Sequence, residues 1–313
     1  MSKYQPPQFS LKLLHPKYWL VWFLFGVVFL LSLLPYKLQY FLGRSLGLFA
    51  MKFAKNRAHI ARRNLELAFP EMSATERENI VIENFKNTGF AFFETGMAWF
   101  WPDWRLKRHF TFVNPEIMEK YKQQGKGVLV TSVHTLNLEL ACRAFSLVTK
   151  GAGVYRPHSN PAYDYIQFKG RTAGGHTTLD RQDVKGMLRM LKSDGAIWYL
   201  PDHDYGRHRS EFVPLFAVSD ACTTAGTSLL VDSSDCAVVT VSTIRKANGQ
   251  YEVTLDDNVH QQFPHKDTKA AAIYMNTHVE KLILRGVDQY MWLHKRFKTM
   301  EDPDVKTGIR YKS

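Results

Sequence analysis

The run from Tyr18 to Leu34, YWLVWFLFGVVFLLSLL, holds seventeen residues and no charge. Left in water it would expose more contiguous apolar surface than a soluble fold tolerates, so the chain must bury it in protein or in lipid. A bilayer span takes about 20 apolar residues. The run is therefore read as a short transmembrane helix or a deeply seated anchor. Trp19 and Trp22 stand at one end, where aromatic side chains collect at the lipid–water boundary. The flanks favour lipid over a soluble core. No Asp or Glu precedes Glu66, while ten Lys and Arg fall between Lys3 and Arg63, most of the surplus behind a net charge of +12. Such a segment is drawn to anionic headgroups. Lys37, Arg44, Lys52 and Lys55 follow the run where a cleaved leader would show small residues. Their density after the run orients the remainder toward the cytoplasm.

The rest of the chain is long enough for one main α/β unit. A basic helical stretch covers 36–72 and stops at Pro70. Ser73 and Glu76 then form an S-x-x-E capping box that opens a helix to about Trp101, rich in aromatic residues. From residue 110 short β-branched runs alternate with helical ones. GVLVTSV (127–133) and AIWYL (196–200) read as buried strands, 136–148 and 161–172 as helices, and 236–244 with 251–255 as a hairpin about Asn248-Gly249. A last long helix covers 266–284. The expected architecture is α/β, with a mixed, mostly parallel sheet flanked by helices behind an N-terminal membrane helix. Its divisions are an anchor (1–40), a basic helical region packing on membrane and core (41–109) and the catalytic core (110–313). Three cysteines, an odd number without metal-ligand spacing, fit a reducing compartment.

Chemistry concentrates where strands end. His134 follows GVLVTSV directly, and Glu139 stands five residues on. On a regular helix that spacing puts the two on different faces. It works if His134 sits on the strand-to-helix turn and Glu139 folds back to it, fixing one ring nitrogen so that the other accepts a proton. Arg171, with Lys169 and Arg156 near it in sequence, suits phosphate or carboxylate groups. PDHDYG follows AIWYL and brings Asp202 and His203, with Asp202 expected to brace Arg171 or its own loop. No H-x-x-x-H or H-E-x-x-H spacing occurs, so no metal is expected. FVPLF (212–216) reads as a segment that touches an acyl chain, TTAGT (223–227) as a helix start placed for an anion, and MWLHKRFK (291–298) as a basic, aromatic interface for headgroups or, in isolation, equally for nucleic acid.

Taken in order, HPKYW, RRNLELAFPEM, ETGMAWFWPD, HTLNLE, YRPHSNP, LDRQDVKGM, PDHDYG, FVPLFAV and QYMWLHKRFKT resemble the late lipid A acyltransferases of Gram-negative bacteria, relatives of the glycerolipid acyltransferases, over almost the whole chain. The likeness is to the branch that adds laurate or palmitoleate. It implies a cytoplasm-facing enzyme of the inner membrane, with a donor acyl-acyl carrier protein, an acceptor Kdo2-lipid IVA hydroxyl and no cofactor or nucleic acid partner. It also implies essential residues at His134, Glu139, Arg171 and Asp202. The family block reads H-F-L-T-L-E, and Thr135 and Asn137 depart from it, which bears on chain length more than on reaction. Palmitoleoyl or myristoyl transfer, a membrane-bound hydrolase built on the same groups, and a non-catalytic anionic-lipid binder are the competing readings.

Overall fold

The computed structural model describes residues 6–312. Lys3, the first of the basic residues counted above, lies outside them. Two 3-10 turns lead into helix α1 (Trp19–Leu33). Then come α2 (Tyr36–Phe53), α3 (Lys55–Ala68), α4 (Ala74–Phe100) and the short α5 (Asp103–Lys107). The stretch expected as one helix over 36–72 is thus two, broken at Ala54, whose ψ of 45° leaves the helical region. The capping box forms as read: the Ser73 hydroxyl accepts from Glu76 N–H, and the Glu76 carboxylate accepts from Ser73 N–H.

The core unit continues with β1 (Phe110–Val113), α6 (Glu116–Gln123), β2 (Val128–Thr131), α7 (Leu138–Phe145), β3 (Ala152–Tyr155), α8 (Pro161–Thr172) and β4 (Thr177–Asp180). It is followed by α9 (Val184–Lys192), β5 (Ala196–Tyr199), β6 (Ser210–Leu215), β7 (Val218–Thr224) and α10 (Gly226–Ser234). The last elements are β8 (Ala237–Arg245), β9 (Tyr251–Asp256), α11 (Asn258–Gln261) and α12 (Thr268–Leu284). Seven strands form one sheet in the order β1-β9-β8-β2-β5-β3-β4. All its neighbours are parallel except the β8–β9 hairpin, which turns through Gly249 at φ 82°. This is the mixed, mostly parallel sheet expected. β1 and β4 went unread because their runs, FTFV and TTLD, are too short and polar to stand out.

Both sheet faces are covered, which is why the central strands are apolar without alternation. Val128, Val130, Trp198 and Val239 pack with Phe93, Met97, Leu140 and Phe145 of α4 and α7. Leu129, Ile197 and Val238 point the other way, onto Met187, Leu191, Leu230 and Met275 of α9, α10 and α12. A third cluster joins α3 and the start of α4 to β6–β7 and the C-terminal segment, through Leu65, Phe85, Leu215, Trp292 and Phe297. Two sequence readings are corrected there. Val213 and Leu215 of FVPLF are buried in protein and line no cavity near the site. Trp292, Arg296 and Phe297 of MWLHKRFK are interior too, and only His294 and Lys295 of that segment are exposed. The segment reads as basic and aromatic, but Asn64 and Asn84 amides pin its carbonyls at Tyr290, Trp292 and His294 from inside.

The apolar run does not stand away from the domain. Reading α4 backward from Phe100 to Phe85, its neighbours are Phe25, then Val28 and Ser32, then Gly43, then Gly47. Helices α1 and α2 therefore lie end to end, antiparallel along α4. The approach is close because glycines line it: a Cβ on Gly89 would fall 2.2 Å from the Gly43 carbonyl oxygen. Beyond the end of α4, Trp22 reaches Tyr165 of α8 at 6.5 Å. The Leu34–Pro35 break between the two helices is tied down by Gln39 and Trp101 side chains donating to its free carbonyls. The outward face stays greasy: Trp19, Leu20, Phe23, Leu24 and Leu30 on α1, and Phe41, Phe49 and Phe53 on α2, are exposed. At 15 residues α1 is about 22 Å long, short of a hydrocarbon core of about 30 Å.

Candidate active site

Strands β2 and β5 are adjacent, parallel and in register, Val128 opposite Ala196 and Thr131 opposite Tyr199. His134 lies three residues past the end of β2, and Asp202 three past the end of β5. Register carries through the turns, and the two meet. The His134 ring Nδ1 is 2.8 Å from Asp202 Oδ1, and the His134 backbone N–H donates to Asp202 Oδ2 at 3.0 Å. Met291 N–H fixes the His134 carbonyl from the C-terminal segment at 2.9 Å. Asp202 is wholly buried, whereas the His134 side chain keeps 17% of its surface exposed. Burial by itself would raise the Asp202 pKa. The His134 ring and backbone N–H, together with His203, more than reverse this and hold the carboxyl well below the usual range. An ionised Asp202 accepts from Nδ1–H, so the Nε2 lone pair is left free to take a proton.

Glu139 does not fold back to His134, contrary to the sequence expectation. From the first turn of α7 its carboxylate takes the Arg171 guanidinium through Nε, at 2.9 Å, and Nη2, and the Trp99 indole N–H at 3.3 Å. Three helices, α4, α7 and α8, are thereby clamped at one point. Asp202 does not brace Arg171 and is not free to bind substrate; both its oxygens are spent on His134. The two carboxylates have exchanged the partners expected of them. The missed signal was present: His134 and Asp202 are separated by 68 residues, as are the paired residues of β2 and β5.

His203 stacks on His134, ring centroids 3.4 Å apart and planes 6° from parallel, and His294 stacks on His203 at 4.8 Å. Burial, reinforced by His134, His294 and Arg296 and opposed by Asp202, pushes the His203 pKa down to about 3. It stays neutral behind the reactive ring. His134, Asp202 and His203 put ligand-type atoms within 4.8 Å of one another. A metal fits them poorly, because both Asp202 oxygens are engaged and nitrogen lone pairs lie in parallel ring planes that do not converge on one point. Lys169 is exposed on α8 and lines neither cavity described next.

Two cavities meet at His134. The first, about 460 Å³, runs under α7 and α8 between β2, β5, β3 and β4. Its walls are mostly apolar, among them Trp99, Leu138, Phe145, Ala152 and Trp198, and the Glu139–Arg171 pair is set in them. Gly153 faces it with open space where a side chain would go. Cys142 also lines it, but burial and Glu139 push its thiol up to about 12, so it stays protonated. The second cavity, about 900 Å³, opens on the other side of His134 toward α9 and α10. Arg156, Arg181, His208 and Arg209 stand around it.

An oriented base between a greasy cavity and a basic one, on a chain whose first two helices keep a greasy outer face, fits a membrane-associated acyltransferase. The family model for bacterial lipid A biosynthesis acyltransferases matches residues 6–299. The chain is 46% identical over 293 residues to the lipid A biosynthesis lauroyltransferase of Escherichia coli (strain K12), covering 94% of this chain and 96% of that one. To the palmitoleoyltransferase of the same strain it is 42% identical, covering 93% and 95%. To the myristoyltransferase it is 27% identical, covering 96% and 93%. The chain belongs to the bacterial lipid A biosynthesis acyltransferase family.

Proposed function

We propose that the chain transfers a fatty acyl group, laurate foremost, from acyl-acyl carrier protein to a 3-hydroxyacyl hydroxyl of Kdo2-lipid IVA at the cytoplasmic face of the inner membrane. The observation that carries this is the position of His134 at the junction of the two cavities, with Nδ1 held by Asp202. The donor chain lies in the apolar cavity, which places its thioester carbonyl at the imidazole. Nε2 takes the hydroxyl proton, and the alkoxide oxygen bonds to the carbonyl carbon. The tetrahedral adduct collapses as the C–S bond breaks, and the thiolate leaves with the proton that His134 returns. Arg171 is the cation offered to the oxyanion: Glu139 holds its Nε and Nη2 and leaves Nη1 for the reaction. Glu139 is in this reading a positioning residue. The protonated Cys142 gives no reason for an acyl-enzyme.

The greater similarity to the lauroyl- and palmitoleoyltransferases than to the myristoyltransferase supports the choice of acyl chain. The greasy outer face of α1 and α2 supports membrane attachment along their length, in the plane of the interface. The test is mass spectrometry of the lipid product after incubation with an equimolar mixture of acyl carriers. A single added laurate on the acceptor is expected. Another preferred chain corrects the chain length, and an unchanged acceptor refutes the reaction.

A further inference from the structure

The second cavity is more than an entrance. Arg156, Arg181 and Arg209 come from three different segments, the end of β3, the end of β4 and the loop before β6, and converge on its rim. Among the described residues none of the three guanidinium groups has a carboxylate or hydrogen-bond partner. This is unlike Arg143, Arg171, Arg245 and Arg310, each of which is paired with a carboxylate. Asp232 stands in the same wall. Its carboxylate is already taken, by Lys266 N–H at 3.1 Å and by His265, whose Nδ1 lies 3.0 Å away. Three uncompensated cations around one concave opening repel one another, which a fold tolerates where an anion is to be bound. The deeper wall is apolar, with Met187 and Leu230 buried in it and Val184 beside them.

We propose that this cavity seats the acceptor: Arg156, Arg181 and Arg209 hold the phosphate groups of its sugar headgroup, and the apolar wall beneath takes part of one acyl chain. The assignment rests on the transfer reading above and adds which side of His134 each substrate approaches from. A phosphopantetheine arm also carries a phosphate, but it is polar along its length and gives the greasy wall no partner. The combination of anionic head and apolar tail favours the lipid.

The test is steady-state kinetics in detergent micelles on the full chain, with Arg181→Gln/Arg209→Gln compared with the wild type. Three titrations are run: the bisphosphorylated acceptor, the same acceptor after phosphatase treatment, and the acyl carrier donor. Both arginines are exposed, so folding is expected to be intact, and a thermal melt checks it. The double variant is expected to raise KM for the bisphosphorylated acceptor at least about tenfold. Phosphatase treatment should bring the wild type to the same KM, with no further loss in the variant, and the donor KM should hold. An acceptor KM unchanged by the substitutions, in a wild type that does transfer, overturns the site and leaves the functional reading standing. A rise confined to the donor KM overturns it in favour of the carrier's phosphate. No transfer by the wild type overturns the functional reading itself, and the occupant with it.

Discussion

Asp202→Asn isolates the link between the buried carboxylate and the reactive ring. Asp202 accepts two hydrogen bonds, from His134 Nδ1–H and His134 N–H. Asparagine keeps the volume but offers one acceptor oxygen and two donor hydrogens. If that oxygen serves the backbone N–H, the amide NH2 faces Nδ1 and drives the ring to the tautomer with hydrogen on Nε2, which cannot take a proton from the acceptor. If the oxygen serves Nδ1–H instead, two buried N–H donors confront each other, at a cost of about 1–3 kcal/mol. The lost negative charge adds to this. At an effective dielectric constant of about 20, a unit charge at about 4 Å contributes about 4 kcal/mol to the imidazolium formed during transfer. Together the effects amount to roughly 5–7 kcal/mol, a fall in kcat on the order of 10⁴–10⁵-fold. The same substitution in a serine-protease triad costs about 10⁴. The assay is transfer of radiolabelled laurate from acyl carrier to lipid in detergent, with kcat and both KM values resolved. The loss is expected in kcat, with KM for donor and acceptor within about threefold. Glu139→Gln leaves His134 untouched and, by loosening the Arg171 guanidinium offered to the oxyanion, is expected to lower kcat by less than Asp202→Asn does. If Asp202→Asn turns over within tenfold of the wild type, or Glu139→Gln shows the larger loss confined to kcat, the pairing described here is not the catalytic one.

Filling the apolar cavity is expected to shorten the chain it accepts. Gly153→Leu meets no clash at Cβ and projects into the space, so mass spectrometry of the product should move from laurate to a shorter acyl group with total turnover reduced less than tenfold. Cys142→Ser is expected to keep more than about a third of wild-type activity, and a collapse in its turnover would revive an acyl-cysteine route. Stability should fall with acid. Folded His203 stays neutral down to about pH 3, whereas in the unfolded chain it takes up a proton below 6.5. The unfolded state therefore binds the extra proton throughout that window. The contribution is complete above pH 6.5 and drains at about 1.4 kcal/mol per pH unit below it. Melting curves in detergent between pH 7.5 and 5 should show Tm falling, with a gentler slope in His203→Gln; identical slopes would contradict the assignment. Gly89→Leu is expected to pry α2 off α4, since even a methyl there meets the Gly43 and Gly47 backbone. Protease cleavage between 34 and 54, absent in the wild type, reports it.

The sheet was legible because its central strands are buried on both faces, so GVLVTSV and AIWYL stand out as unbroken apolar runs. Edge strands gave no such signal, and β6–β7 was hidden in a segment read as an acyl contact. Of the site, His134 was found from its place at a strand end. Its partner was misassigned because Glu139 is nearer in sequence. Proximity along the chain is a poor guide where parallel strands bring residues 68 apart into register. The interior placement of Arg296 and Trp292 was illegible for a related reason. A basic, aromatic segment has the same composition whether it meets headgroups or is pinned from inside by Asn64 and Asn84.

Phe25 of α1 lies 6.2 Å from Trp99, and Trp99 walls the apolar cavity while donating to Glu139. In the proposed reading, the helix whose greasy outer face seeks lipid is thus one residue removed from the hollow that would measure the fatty acid. A shortened protein begun at Pro35 to make it soluble would lose that backing, and its preference among acyl lengths would be no guide to the selectivity of the full chain in a bilayer.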